Sequence, residues 1–139
     1  MKNLLVCILL LVFTIPVLGN TKIPIQITNI SDGDTVKAKI DKNEFKIRLV
    51  GIDCYETCKI HRAYKQAYEN KLNIDDVMRN GKLSKHYLQN LYEINKNKNI
   101  YLEFKGVDVY GRVLGVLYFD RINVNEEMKN HGGCMLYEF

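Results

Sequence analysis

The stretch "TVKAKIDKNEFKIRLVGID", residues 35–53, decides the fold. Apolar side chains fall at every second position on both sides of residues 41–44, first at Val36, Ala38 and Ile40, then at Phe45, Ile47 and Leu49. A period of two is typical of strands with one buried face. The polar segment "DKNE" between them predicts a hairpin turn. We therefore expect two antiparallel strands here.

The segment before this hairpin, "SDGDTV" at residues 31–36, places two aspartates around a glycine. Asp-Gly is a common turn signal, so one interpretation is a tight turn that leads into the strand. The other is that Asp32 and Asp34 supply carboxylates to a cation site. We expect the strand that carries Arg48 to continue up to Asp53, so Asp34 and Asp53 can meet at one rim of the sheet. The choice depends on whether the rest of the chain supplies partners.

Between residues 57 and 99 the apolar pattern changes to helical spacing. Asn73 is a predicted N-cap, with Asp75 and Asp76 in the first turn of the helix that follows. We expect Gly81 to interrupt this helix. A longer amphipathic helix then follows, and its apolar stripe consists of Leu83, Tyr87, Leu88, Leu91 and Ile94.

Two further strands, "IYLEF" and "VLGVLYF", precede a short final helix, "VNEEMKNH". Asn123 is its predicted N-cap, with Glu126 at the third position. The order of three strands, helices, two strands and a helix predicts an α+β fold, a five-stranded OB-fold barrel with flanking helices. Such barrels bind oligonucleotides or oligosaccharides, but a fold alone does not give a function.

Length and composition favour one globular domain, since the 139 residues are 47% hydrophobic and 26% charged. Residues 1–19 have one lysine, an apolar run at 4–18 and a small residue at the end, which predicts a signal peptide followed by a domain at 20–139. A retained anchor is the alternative, although the run is short for a membrane span. We expect a secreted or periplasmic protein with no stable membrane association after cleavage. The net charge of +4 is too small to indicate a polyanionic partner.

Three cysteines remain after this cleavage, namely Cys54, Cys58 and Cys134. One disulfide and one spare thiol are expected in an exported protein. Of the three possible pairings, Cys54–Cys134 is preferred because it would tie the middle of the chain to its end. The alternative is a zinc site formed by Cys54, Cys58, His61 and Cys134, whose ligand spacing is irregular.

Charged residues also occur where the apolar pattern leaves little room for them. "IRLVGIDCYE" carries Arg48, Asp53 and Glu56, "DVYGR" carries Asp108, Tyr110 and Arg112, and "VNE" opens the last helix at residues 124–126. Carboxylates suit a hard cation such as Ca²⁺, and a guanidinium holds phosphate oxygens in a bidentate fork. A further carboxylate can deprotonate a water molecule. Each residue alone could instead serve a surface ion pair or a turn.

Taken in order, "DGDTV", "RLVGIDxxE", "DxYGR" and "VNE" closely resemble the staphylococcal nuclease (thermonuclease-like) family over residues 27–136. The resemblance implies three groups of site residues: calcium ligands from Asp34, Asp53 and the Cys54 carbonyl, catalytic residues Arg48, Glu56 and Arg112, and a nucleotide-contacting Tyr110. It also assigns Asp32 to the turn.

The resemblance further implies a monomer that hydrolyses DNA and RNA with Ca²⁺ and leaves 3′-phosphates. The alternative function is a catalytically silent OB module that binds nucleic acid without cutting it. The chain departs from the family at Cys54-Tyr55, where Thr-Pro is usual. Residues 57–81 are longer than the family minimum and predict an extra helical segment near the site.

Overall fold

The structure is a computed structural model that describes residues 21–138. The predicted signal peptide at residues 1–19 lies outside these described residues. The strands of the described part are β1 (Lys22–Pro24), β2 (Gln26–Asp32), β3 (Thr35–Ile40), β4 (Asn43–Leu49), β5 (Ile52–Asp53), β6 (Ile100–Val107), β7 (Val113–Phe119), β8 (Ile122–Asn123) and β9 (Met135–Leu136). The helices are α1 (His61–Asn70), α2 (Ile74–Asn95) and α3 (Val124–Asn130).

The strands form one large mixed sheet in the order β1-β6-β7-β4-β3-β2, with β8 beside β7. The β4–β7 pair is parallel, and the other neighbours in this sheet are antiparallel. A separate two-stranded ribbon joins β5 and β9. The α+β class is therefore confirmed. Within residues 21–138, however, the two end strands of this order, β1 and β2, are not paired with each other. The predicted closed five-stranded barrel is therefore not shown.

The hairpin of β3 and β4 forms as the alternating pattern predicts, but its second strand ends at Leu49. The predicted continuation up to Asp53 is wrong, because the chain turns at Gly51 and residues 52–53 pair with β9 instead. Val36 and Ala38 on β3 and Ile47 and Leu49 on β4 are fully buried. Ile40 is the exception, because it ends β3 beside the turn and is exposed. Burial of the alternating positions fixes the register of the hairpin, in which Thr35 pairs with Arg48.

The prediction that Gly81 interrupts a helix is wrong, because α2 continues through it. The residues of α2 that are buried are Val77, Gly81, Ser84, Leu88 and Asn95. This stripe has helical spacing but includes small and polar residues that a hydrophobicity pattern does not mark. As a consequence, two residues of the predicted stripe, Leu83 and Ile94, are exposed.

Gly81 lies where α2 passes closest to the segment that follows β5. A Cβ atom at this position would overlap the backbone carbonyls of both Glu56 and Tyr55. The glycine therefore brings the helix against the Glu56 backbone, which is a positional reason for its presence.

The motif at the start of α3 has a structural role. Asn123 caps the helix by accepting from the Glu126 N–H, as predicted, at 3.1 Å. Asn125 is buried; its Oδ1 accepts from the Leu117 N–H, and its Nδ2 donates to the carbonyls of Val50 and Gly115. Asn125 thus ties α3 to β7 and to the turn after β4.

The described helices α1, α2 and α3 have 10, 22 and 7 residues. Across residues 21–138, none combines the length and the apolar character that a membrane crossing requires.

Candidate active site

Asp34 and Asp53 converge on one buried guanidinium, that of Arg48. Arg48 Nη1 lies 3.3 Å from Asp34 Oδ2, and Arg48 Nη2 lies 3.1 Å from Asp53 Oδ1. All three residues are buried. Asp34 immediately precedes β3, Arg48 lies on β4 and Asp53 ends β5, so the rim predicted from the hairpin brings both carboxylates together.

The Arg48 side chain is also fixed by the backbone around it. Its Nη1 donates to the carbonyls of Leu49 at 2.8 Å and Ile52 at 2.9 Å. Gly51 has a φ of 78°, a conformation that glycine adopts without strain, and it turns the chain between β4 and β5. The turn therefore directs two carbonyls and the Asp53 carboxylate at one guanidinium.

Asp34 is held from two more directions. It accepts from the Cys54 N–H at 2.7 Å and from the Thr35 hydroxyl at 3.0 Å. Burial raises the pKa of Asp34, while the Arg48 charge and these hydrogen bonds oppose the rise. Asp32 has a different partner, since its carboxylate accepts from the Thr57 hydroxyl at 2.7 Å. The two aspartates of the opening turn thus have different environments.

The structure joins Cys54 and Cys134 in a disulfide, the pairing that the sequence analysis prefers. Cys58 is free and exposed. This pairing contradicts the alternative zinc site, because two of its four proposed ligands are bonded to each other. Cys54 directly follows Asp53 at the end of β5, and Cys134 directly precedes β9, so the disulfide anchors the backbone beside the site.

Glu56 lies next to this pair of aspartates, and we call Asp34, Asp53 and Glu56 the carboxylate cluster. Burial, followed by the negative charges of Asp32 and Asp34, raises the pKa of Glu56 from 4.5 to about 7. A carboxyl group with this pKa can accept a proton near neutral pH.

Helix α1 contributes two side chains that the sequence analysis missed, Arg62 and Gln66. Arg62 Nη2 donates to Asp53 Oδ1 at 2.5 Å, and its Nε lies 3.2 Å from Glu56 Oε1. The Gln66 amide donates to Asp53 Oδ2 at 3.2 Å and to the Cys54 carbonyl at 3.0 Å, and it accepts from the Glu56 N–H at 3.0 Å. The helical segment predicted within residues 57–81 therefore contacts the site directly.

Arg112 and Tyr110 lie at the turn between β6 and β7, apart from the contacts that hold the carboxylate cluster. Asp108 accepts from the backbone N–H groups of Tyr110 and Arg112, both at 2.9 Å, and pairs with Arg112 Nε at 2.7 Å. Tyr110 is exposed, and the Arg112 guanidinium lies 5.5 Å from its ring centroid. Arg112 immediately precedes β7, which runs parallel to β4 with Leu114 opposite Arg48. Arg112 therefore lies just before the strand that pairs with the Arg48 strand, and its described ion pair is with Asp108.

The donor set of this rim suits a hard cation. The side chains of Asp34 and Asp53 and the carbonyl of Cys54 offer oxygen atoms, which Ca²⁺ prefers. In the described part of the chain, no three His, Cys, Asp or Glu residues are arranged as a preformed metal site. These oxygen atoms instead accept from Arg48, Arg62, Gln66, the Thr35 hydroxyl and the Cys54 N–H, so a cation would compete with these donors.

The fold and this rim define a class of protein: a small α+β domain that gathers carboxylates and guanidinium groups at one edge of a mixed sheet. Residues 46–139 match the family model described as "Staphylococcal nuclease homologue". The chain belongs to this family.

Two relatives were found by sequence comparison. The chain is 32% identical over 139 residues to a Haemophilus influenzae protein named "Uncharacterized endonuclease", an alignment that covers 99% of this chain and 66% of that protein. It is 30% identical over 123 residues to an uncharacterized protein of Methanocaldococcus jannaschii, with coverage of 81% and 58%. The chain thus spans less than two thirds of the length of either relative.

Proposed function

We propose that the protein is a Ca²⁺-dependent nuclease that hydrolyses phosphodiester bonds of DNA and RNA and leaves 3′-phosphate products. The observation that carries this proposal is that Asp34 and Asp53 both pair with Arg48. Arg62 pairs with Asp53 and with Glu56, and so it holds Glu56 beside the two aspartates. Membership of the staphylococcal nuclease homologue family and the endonuclease name of one relative support it.

In this proposal Asp34, Asp53 and the Cys54 carbonyl hold Ca²⁺. When bound, the cation supplies positive charge that polarises a phosphoryl oxygen and favours ionisation of nearby water. The two aspartates are already held at one rim by Arg48, which reduces the cost of bringing like charges together.

Glu56 is the general base in this mechanism. Its carboxylate takes a proton from a water molecule, and the water oxygen forms a bond to phosphorus. The bond from phosphorus to the 5′ oxygen breaks, and the leaving oxygen takes a proton from solvent. The raised pKa of Glu56, about 7 in the metal-free protein, suits this transfer, and general-base catalysis typically contributes about 10²–10⁴-fold.

The guanidinium groups have electrostatic roles. Two backbone carbonyls hold the Arg48 guanidinium in place at the rim. Arg112 lies just before the neighbouring strand β7. Both charges favour the additional negative charge that develops on the phosphate oxygens. The exposed ring of Tyr110 is available to contact a nucleotide.

We also propose that residues 1–19 direct export and that the mature protein acts as a monomer outside the cytoplasm. The Cys54–Cys134 disulfide supports an oxidising compartment. Mass spectrometry of the exported protein should find a new N-terminus at residue 20, and size-exclusion chromatography should give the mass of one chain.

The test of activity is cleavage of end-labelled single-stranded DNA and RNA by the purified protein, with Ca²⁺ or with a chelator. We expect cutting only with Ca²⁺ and 3′-phosphate ends on the products. Glu56→Gln should lower the rate at least about 10²-fold, whereas Glu69→Gln, on the exposed side of α1, should not. Tight binding without cutting would favour the silent module, and neither binding nor cutting would contradict both functions.

A further inference from the structure

Three arginines lie at or near the proposed site, and they differ in accessibility. The Arg48 side chain is 7% exposed and that of Arg112 is 30% exposed, whereas that of Arg62 is 41% exposed. Arg48 donates to two backbone carbonyls as well as to carboxylates. Arg62 contacts only side chains among the described bonds, namely those of Asp53 and Glu56. Of the three, Arg62 is therefore the most exposed, and it lacks the backbone bonds that hold Arg48.

The position of Arg62 is not explained by the stability of α1. It lies in the first turn of the helix, where the macrodipole disfavours a positive charge. The N-cap, Ile60, makes no side-chain cap, and the first turn contains no acidic residue that would offset the charge. The favourable partners of Arg62 are instead the two carboxylates across from it.

Gln66 fixes the helix that carries Arg62. It lies one turn further along α1, is 2% exposed, and bonds to Asp53, Cys54 and Glu56. Residues four apart lie on the same helix face, so this anchor keeps Arg62 directed at the carboxylate cluster. The Arg62 side chain can move while its Cα stays in place.

We propose that Arg62 is a further substrate-binding residue, paired with Asp53 and Glu56 in the metal-free protein and transferred to a substrate phosphate when a cation takes its place on Asp53. This inference rests on the proposed nuclease function.

The exchange keeps a positive charge beside Asp53 and gives Arg62 a new anionic partner. A divalent cation on Asp53 replaces the positive charge that Arg62 supplies there. The released guanidinium remains beside the site, where the nearest new anion is the phosphate of a bound nucleic acid. Its planar fork can then donate two hydrogen bonds to phosphate oxygens.

The experiment compares wild type, Arg62→Ala, Arg62→Lys and Arg79→Ala. Arg79 is a matched control, since it is an exposed helical arginine paired with Asp76 and away from the site. Calorimetry measures the Kd of Ca²⁺ without nucleic acid, and steady-state cleavage of single-stranded DNA at saturating Ca²⁺ separates KM from kcat. Circular dichroism checks that each variant is folded.

For Arg62→Ala we expect KM for DNA to rise about tenfold or more, because one charged donor to phosphate is lost. The Kd of Ca²⁺ should be unchanged or up to about fivefold lower, because a partly exposed ion pair no longer competes with the cation. Arg62→Lys should have an intermediate KM, since it keeps the charge but loses the fork. Arg79→Ala should match wild type.

Two results would overturn the role of Arg62 while leaving the nuclease function intact: an unchanged KM in folded Arg62→Ala, or weaker Ca²⁺ binding in that variant, which would make Arg62 a positioning residue for the carboxylates. If wild type itself cuts nothing with Ca²⁺, the nuclease function fails, and the role of Arg62 fails with it.

Discussion

The proposed site has a strand side and a helix side, and the two are built differently. On the strand side, Asp34, Arg48 and Asp53 are buried, and their contacts include backbone groups that the sheet holds in place. On the helix side, Arg62 is partly exposed and its described bonds end on other side chains. The strand side therefore fixes the geometry of the site, whereas the helix side balances charge and can adjust.

The largest effect should come from removing the charge at the centre of the strand side. Arg48→Met leaves Asp34 and Asp53 buried beside each other, and breaking a buried ion pair in this way costs about 3–5 kcal/mol. Urea denaturation measures the change. Arg112→Met removes a pair with Asp108 that is partly exposed, so its loss of stability should be much smaller than that of Arg48→Met. Similar losses in both variants would remove the distinction between a buried framework and a peripheral pair.

The disulfide should account for the next largest part of the stability of the strand side. The Cys54–Cys134 bond closes a loop with a sequence separation of 80, and removing such a crosslink typically costs about 2–4 kcal/mol. We expect this loss of unfolding free energy in the double variant Cys54→Ser, Cys134→Ser. Cys58→Ser, which replaces a free and exposed thiol, should be unchanged. Equal stability of the two proteins would contradict the anchoring role of the bond.

Gln66 is the part of the helix side that is fixed, and its removal should have an intermediate effect. Gln66→Ala leaves the Glu56 N–H and the Cys54 carbonyl without their hydrogen-bond partner. We expect the free energy of unfolding to fall by about 1–3 kcal/mol. Thermal denaturation tests this expectation. The control is Gln89→Ala, because Gln89 is an exposed glutamine on α2. A loss no larger than that of the control would mean that α1 is not anchored at the site.

The last effect concerns Glu56, and unlike the others it depends on pH. The pKa of Glu56 is raised from 4.5 to about 7 by burial and by the charges of Asp32 and Asp34. Its protonated form therefore stabilises the metal-free fold, a contribution that is complete below pH 4.5 and is lost as pH rises through 7. Glu56→Gln should raise the melting temperature of metal-free protein at pH 8 and change it little at pH 4.5. A lower melting temperature at pH 8 would show that the Arg62 pair outweighs the burial of charge.

The main features of the strand side could be predicted from the sequence. Period-two alternation around residues 41–44 predicts the hairpin, and the hairpin in turn predicts that Asp34 and Asp53 meet at one rim. Both N-caps, Asn73 and Asn123, were also identified, because a cap depends on residues only three positions apart.

The helix side could not be derived in this way. Arg62 and Gln66 have ordinary helical spacing, and only the packing of α1 against the segment after β5 shows that they face the carboxylate cluster. The direction of α2 depends on Gly81, whose local signal resembles a helix break although its role is a close approach to Glu56. In both cases a helix contacts the segment after β5, and the spacing of apolar residues within the helix does not predict that contact.

The central claim is that Asp34 and Asp53 share one cation while Asp32, two residues from Asp34, serves the turn. Calorimetric titration of Ca²⁺ into wild type, Asp32→Asn, Asp34→Asn and Asp53→Asn tests this claim most directly. We predict one Ca²⁺ per chain in wild type and Asp32→Asn, and no measurable binding in Asp34→Asn or Asp53→Asn. Wild-type protein that binds no Ca²⁺, or Asp34→Asn that binds it as tightly as wild type, would contradict the account.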